Sequence, residues 1–350
     1  MMLNSMPTLA ATSAMLSSGI RRTQAEMTRI QSEVASGRLA DTGLHIGSAS
    51  ATLVSFQQDL SVLQSAVDAN SQLAGGLSAS QDALASIVSN AQSVLKAAIA
   101  ARGDPQARAV ATQQARGALQ SFTEAANTSY NGVYLFSGLN TQMPPFEAYF
   151  AVPPPASKAS LEAAFFNAFG ATLDDPAVDT ISASSMQAFL DSAYQIEFND
   201  TNWSSNWTSA TVQGTTRRIS MQRTAEIPVT GQAVAFRKIA SSLALLSHIG
   251  AAALNDAAFD TIVSKASKEL SEGIALMGGA QAALGVVQQQ IAEASSDMQQ
   301  RIELANTFVT QVENADLTGL SVRLNALMTQ LEATYAVTGR LQKLSLLNAI

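Results

Sequence analysis

The chain has 350 residues, a formal net charge of −7 and 13% charged residues, about half the usual charged share. No basic stripe is left to neutralise phosphates, which excludes nucleic acid and an anionic membrane surface as partners. With no cysteine, neither a disulfide framework nor thiolate chemistry is open to it.

From Leu9, steps of four and three lead through Ser13, Leu16, Ile20, Thr23, Met27 and Ile30 to Val34, and Ser36-Gly37 stops the run. This is a heptad stripe, so the spacing predicts an N-terminal helix with a coiled-coil seam at Leu9, Leu16, Ile20, Met27, Ile30 and Val34. Ser13 and Thr23 are weak knobs in it. The opening stretch has no leading basic region, and Arg21-Arg22 follow the apolar residues, so no cleaved secretory peptide is expected.

Arg38 to Gly47 reads as a turn-rich connector. Near Ser48 a long helix is expected, because Leu53, Phe56, Leu60, Leu63, Val67, Asn70, Ala74, Leu77, Gln81, Leu84, Val88, Ala91 and Leu95 keep one register. Gly75-Gly76 is the place where it could bend. Arg102-Gly103-Asp104-Pro105 ends it, with Pro105 opening the next helix; the Arg-Gly-Asp tripeptide reads as a stop and restart, not as an integrin ligand. The third helix is expected over 105–128 with Val110, Leu119 and Phe122 inward. Asn131-Gly132 is a hairpin signal, and Val133 to Phe136 a short strand closed by Ser137-Gly138.

Composition changes from Pro144 to Phe236. Seven of the nine prolines and twelve of the twenty aromatic residues lie there, which points to a separate small mixed domain. Its β-leaning runs are Tyr194–Phe198, Trp207–Val212 and Arg217–Met221, and its expected short helices 161–169 and 185–193. Beyond Arg237 there is no proline, and helices are expected over 237–249, 256–277 and 281–314. The uncharged runs 239–255 and 273–292 read as buried faces of these helices and not as bilayer spans. Asp316 is a good N-cap for a last helix whose seam runs through Leu317, Leu320, Leu324, Leu327 and Leu331 and continues with Tyr335, Leu341, Leu344 and Leu347.

The fold class expected is mainly α: an elongated antiparallel helical rod with coiled-coil termini and an inserted mixed/β domain at the far tip. The terminal region would be 1–44 plus 315–350, the rod 45–143 plus 237–314, and the inserted outer domain 144–236. Each terminal seam is marginal alone in water, so the two ends are expected to be completed by neighbouring copies. Chemistry is sparse. His45 and His248 stand too far apart in sequence to suggest a metal site or a Ser-His pair, Asp174-Asp175 abuts Pro176 as a turn, and Gly278-Gly279 lacks the residues of a phosphate loop. The two glycosylation-like triplets at Asn202 and Asn206 read as chance matches. No catalytic, cofactor or metal site is expected, and the chain is read as a non-enzyme.

Three stretches resemble the flagellin superfamily: the heptad N-terminus ending Ser36-Gly37-Arg38, the run from Ser129 to Gly138 with Thr141 and Pro145-Phe146 after it, and the ending from Leu331 to Leu347. Within it, the signature Asn131, Gly132, Leu135, Phe136, Ser137, Gly138, Pro145 and Phe146 is similar to hook-associated proteins of the FlgL type, which join hook to filament. The resemblance spans 1–146 and 237–350; the connector 39–50 departs from it by lacking the acidic turn many flagellins carry there. It implies a structural subunit acting as the hook-filament junction (adaptor) protein, exported unfolded through the flagellar type III apparatus, secreted without a cleaved signal peptide and lodged in the extracellular flagellum. Its partners would be copies of itself, the neighbouring hook-associated protein and flagellin, and an export chaperone that holds the C-terminal helix. Filament flagellin is the nearer alternative, and a secretion-system tip or translocator protein the more distant one.

Overall fold

The computed structural model describes the backbone of residues 9–40 and 49–347 and the side chains of 14–40 and 52–340. Its contacts fall into two compact units, one of the residues up to Gln64 and from Gln299 on, the other Ser65–Met298. The insert shares its core with the helices around it.

In the first unit, helix α1 (Leu9–Ser36) and the C-terminal helix α9 (Leu317–Leu347) lie antiparallel. Gly37, at φ 69°, ends α1 as a left-handed cap, donating its amide to Glu33 at 2.8 Å. Its carbonyl then accepts from Ala315 at 3.0 Å, and Arg38 pairs with Asn314 in an antiparallel bridge. Asp316 is the expected cap of α9, its Oδ1 accepting the amides of Thr318 and Gly319, both at 3.1 Å. Phe56 and Phe308, with ring centroids 4.6 Å apart, tie together two further helices: α2 (Ala49–Ala100) and α8 (Asp256–Glu313).

The second unit holds most of the core. α2 passes unbroken through Gly75-Gly76; the pair admits the Tyr130 ring, since a Cβ on Gly75 would run into the tyrosine hydroxyl. At its far end Gly103 turns with φ 66°, and Asp104 caps α3 (Pro105–Ala126) by accepting from Gln106 at 2.9 Å and Ala107 at 3.4 Å. Leu119 and Phe122 point inward as expected; Val110 does not, being 63% exposed. Strands β1 (Ser129–Tyr130) and β2 (Val133–Tyr134) then form a hairpin through Asn131 and Gly132 at φ 51° and 78°, the primed two-residue turn that the Asn-Gly pair favours.

The insert is more helical than its β-leaning runs suggest. It contains α4 (Ala156–Phe169), a 3₁₀ turn at Pro176–Thr180, α5 (Ala183–Asp191), α6 (Ala193–Glu197) and a π-helical turn at Trp203–Trp207. Its one described sheet pairs β3 (Thr215–Arg218) with β4 (Thr224–Ile227). Tyr194–Phe198 is therefore mostly helix instead of strand. The four-residue step brings the Tyr194 and Phe198 rings to 5.0 Å, and the buried Tyr194 hydroxyl donates to the Ser241 carbonyl at 2.6 Å. Helix α7 (Val234–Ala244) follows, extended by a π-helical turn at Leu245–Ile249.

Expected as two helices, 256–314 is the single 58-residue α8. The Gly278-Gly279 pair costs about 1 kcal/mol per residue against alanine, but Met277 and Leu284, both at 0% exposure, anchor the buried face on either side. Thr52–Ala100 and α8 are each apolar and long enough by composition to cross a bilayer; 33% and 28% of their most apolar stretches, respectively, are buried in this fold.

Candidate functional site

The family-like signature is a structural knot. Phe236 packs against both Phe136 at 5.2 Å and Phe146 at 6.0 Å between ring centroids, and Phe122 of α3 and Trp203 of the insert join at 5.4 and 5.8 Å from Phe146. Asn127 clamps the Phe146 backbone, accepting from its amide at 3.0 Å and donating to its carbonyl at 2.8 Å. Pro145 presents its carbonyl to the Thr208 hydroxyl at 2.8 Å. Ser137 donates to the Tyr134 carbonyl at 2.8 Å, and Gly138, at φ 66°, leaves no room for a Cβ beside Thr211 and Gln213. Asn131 and Gly132 stand exposed at the hairpin turn, and Leu135 is half-buried. Together these residues fasten the insert to α3 and α7.

The two seams meet in the first unit, but each is only half covered. Ile30 is fully buried, while Leu16, Ile20, Met27 and Val34 are half-buried, as are Leu320, Leu324, Leu327 and Leu331 across from them. The side chains of Leu9, Leu341, Leu344 and Leu347 lie outside the described residues, as does His45. Leu317 and Tyr335, expected in the seam, are 48% and 47% exposed; Thr334 and Thr338 take the inward places beyond Leu331. Tyr335 still reaches across, its hydroxyl accepting from Gln24 at 2.9 Å.

Sequence reasoning missed the polar lattice around this pair. Arg29 binds Glu26 at 2.6 Å and Glu33 at 2.7 Å, and Arg323 of α9 reaches Glu26 at 3.1 Å. The Glu26 hydrogen bond, aided by the charges of Glu26 and Glu33, raises the Arg29 pKa above its ordinary value. Glu33 is fully buried and accepts the Ala40 amide at 3.0 Å, while Glu313 holds Arg38 and accepts from Gln57 at 3.2 Å. The i,i+3 and i,i+4 spacing of Glu26, Arg29 and Glu33 was a visible signal; the partners on α2, α8 and α9 were not. On the outer surface Val322, Met328 and Val337 are 66%, 45% and 49% exposed. A two-helix pair with apolar flanks on both seam edges can bury them only against further helices.

His248 belongs to a different device. Its Nδ1 lies 2.7 Å from the Tyr149 hydroxyl and its Nε2 3.3 Å from Glu162, with Tyr149 stacked on Trp207 at 5.4 Å. Burial outweighs the Glu162 charge and lowers the imidazole pKa to about 4, so it is neutral at pH 7 and wedges the insert against α7's π turn. Asn202 donates its amide to the Ile196 carbonyl at 2.9 Å and so serves the local fold. Among the described residues, no three His, Asp or Glu side chains converge as metal ligands.

Two comparisons agree with this anatomy. The bacterial flagellin N-terminal helical region matches residues 7–141 and the bacterial flagellin C-terminal helical region matches 267–350, together more than half of the chain. A solved structure from Vibrio parahaemolyticus, provisionally described as a flagellar hook-associated protein, is 12% identical, covers 76% of this chain and 97% of its own, and superposes with a TM-score of 0.52; at that identity it speaks for the fold. Comparison with curated proteins gives no match. The paired terminal helices and the two matched regions identify the chain as a member of the flagellin superfamily, the structural subunits of the bacterial flagellum.

Proposed function

We propose that this subunit is the hook-filament junction (adaptor) protein, exported unfolded through the type III apparatus and ordered on assembly. The observation that carries the reading is the half-covered α1–α9 pair, whose Leu320, Leu324, Leu327 and Leu331 seam meets Leu16, Ile20, Met27 and Val34 without closing. Neighbouring copies, the adjoining hook-associated protein and flagellin supply the missing cover, and before export a chaperone holds α9 by the same apolar face. The Phe136–Phe146 knot supports the junction branch through its resemblance, and the solved neighbour's description as hook-associated points the same way. The flagellin regions matched at both ends favour a second reading, a filament flagellin.

Immunogold labelling of intact flagella separates the two. A single band next to the hook is expected; label along the whole filament would overturn the junction role in favour of the filament one.

A further inference from the structure

The chain is acidic overall, yet Arg217, Arg218 and Arg223 stand together on the β3–β4 hairpin, all exposed. Among the described residues none of the three has a carboxylate within ion-pair range. Arg217 and Arg218 border a groove of about 340 Å³ between this hairpin, α2 and the β1–β2 hairpin, a size that suits a small molecule. Arg223, past the hairpin turn, is not part of its lining. Every residue that lines the groove belongs to Ser65–Met298, so it owes nothing to the terminal seams.

Its walls are set before anything enters. Buried Asn70 of α2 holds the β3–β4 hairpin by donating to the Ile219 carbonyl at 2.9 Å, and it donates to Ser295 at 3.0 Å. The β1–β2 hairpin is tied down by the Tyr134 amide on the Thr141 carbonyl and the Leu135 amide on the Thr128 carbonyl, both at 3.0 Å. Gly75 leaves the space in which the Tyr130 ring lies on α2. Tyr130 and Tyr134, with Leu73 and Leu77, form the apolar part of the lining. Little ordering is left for a ligand to impose.

The polar part of the lining selects the ligand. Two guanidinium forks without partners suit a carboxylate or a sulfate. Asn70 also lines the groove; its amide donors are engaged, while its Oδ1 accepts no hydrogen bond among the described residues. A free acceptor calls for a ligand that carries hydroxyl donors. Asn131 and Thr215 add further amide and hydroxyl groups beside the arginines. An aliphatic anion would satisfy the arginines and the tyrosine rings and leave Asn70 unanswered. A sugar acid meets all three demands, with an anionic group for the arginines, a C–H face for the rings and hydroxyls for the amides.

We propose that this groove binds a short acidic saccharide, its carboxylate or sulfate held by Arg217 and Arg218 and its apolar face against Tyr130 and Tyr134. Such a site is separate from the subunit's part in assembly and is compatible with either reading of its place in the flagellum.

Isothermal titration calorimetry of the full-length protein tests this with three sugars: digalacturonate, a sulfated chondroitin disaccharide and neutral lactose. Saturable binding of at least one acidic sugar is expected, about tenfold or more tighter than lactose, and the tighter of the two identifies the anion. Arg217→Gln with Arg218→Gln is expected to weaken that binding about tenfold, and Tyr134→Ala about fivefold. Arg223→Gln removes the same charge from the same hairpin outside the groove and is expected to leave the affinity unchanged. An equal loss with Arg223→Gln would reveal a diffuse positive patch and overturn the site. Lactose binding as tightly as the acidic sugars overturns the role of the arginines. Absence of binding by either acidic sugar overturns the proposal, and laurate binding in their place would assign the groove to an aliphatic anion.

Discussion

His248 shows how burial can outrank charge at a single residue. Glu162 at 3.3 Å favours the protonated ring, but the cost of desolvation is larger and lowers its pKa to about 4 from 6.5. In the unfolded chain the ring takes a proton near 6.5, so between these values the unfolded state binds more protons and stability falls as pH falls. The contribution is full above about pH 6.5 and lost by about pH 4, on the order of 3 kcal/mol in all. Trp203 and Trp207, both in the adjoining aromatic cluster, are local probes of this loss. Urea unfolding followed by tryptophan fluorescence is expected to show the wild type losing about 2 kcal/mol more than His248→Gln between pH 7 and pH 5. Equal losses in the two proteins would mean that the acid sensitivity lies elsewhere.

At the scale of an element, α9 separates inward from outward residues one position apart. Thr334 and Thr338 continue the alternating three- and four-residue steps of Leu320, Leu324, Leu327 and Leu331, so the inward places beyond Leu331 are theirs, and Tyr335, one position after Thr334, falls outside the seam. Leu324→Asp puts a charge into the half-buried face against α1 and is expected to cost about 2 kcal/mol or more, seen as lost helicity by circular dichroism together with lost assembly. Val322→Asp, on the 66% exposed outer side, is expected to keep the helicity and still impair assembly; normal assembly would show that this outer face is not covered by a neighbour. The Asp316 cap and the Asn131-Gly132 turn were legible in the sequence because each is a local rule. Tyr194–Phe198 was not, because its aromatic residues satisfy strand propensity and a buried helical face equally well. Nor was the unbroken α8, since only the surrounding core shows what outweighs Gly278-Gly279. Glu33 and Glu313 escaped notice because their value depends on Arg38, Gln57 and the Ala40 amide, which no spacing brings together.

For the whole molecule, the unequal burial of the two units predicts unequal persistence. Ser65–Met298 contains the aromatic knot, the buried face of α8 and the α3–α7 packing, so opening any part of it exposes a shared core. The α1–α9 pair has one fully buried seam residue on α1, Ile30, and four half-buried ones, with Thr23, Thr334 and Thr338 interrupting the stripe. A short, part-covered pair of this kind has little free energy to hold both helices against fraying. Limited proteolysis of the purified monomer is therefore expected to remove both ends first and leave a resistant core of about residues 45–310, while the same sites become protected in the assembled state. Deletion of 317–350 should accordingly leave the circular dichroism of that core unchanged and yet give cells with hooks and no filaments. Normal filaments on such cells, or amide exchange in the free monomer as slow in α1 and α9 as in α8, would show that the terminal helices are complete without neighbours and that assembly draws on some other surface.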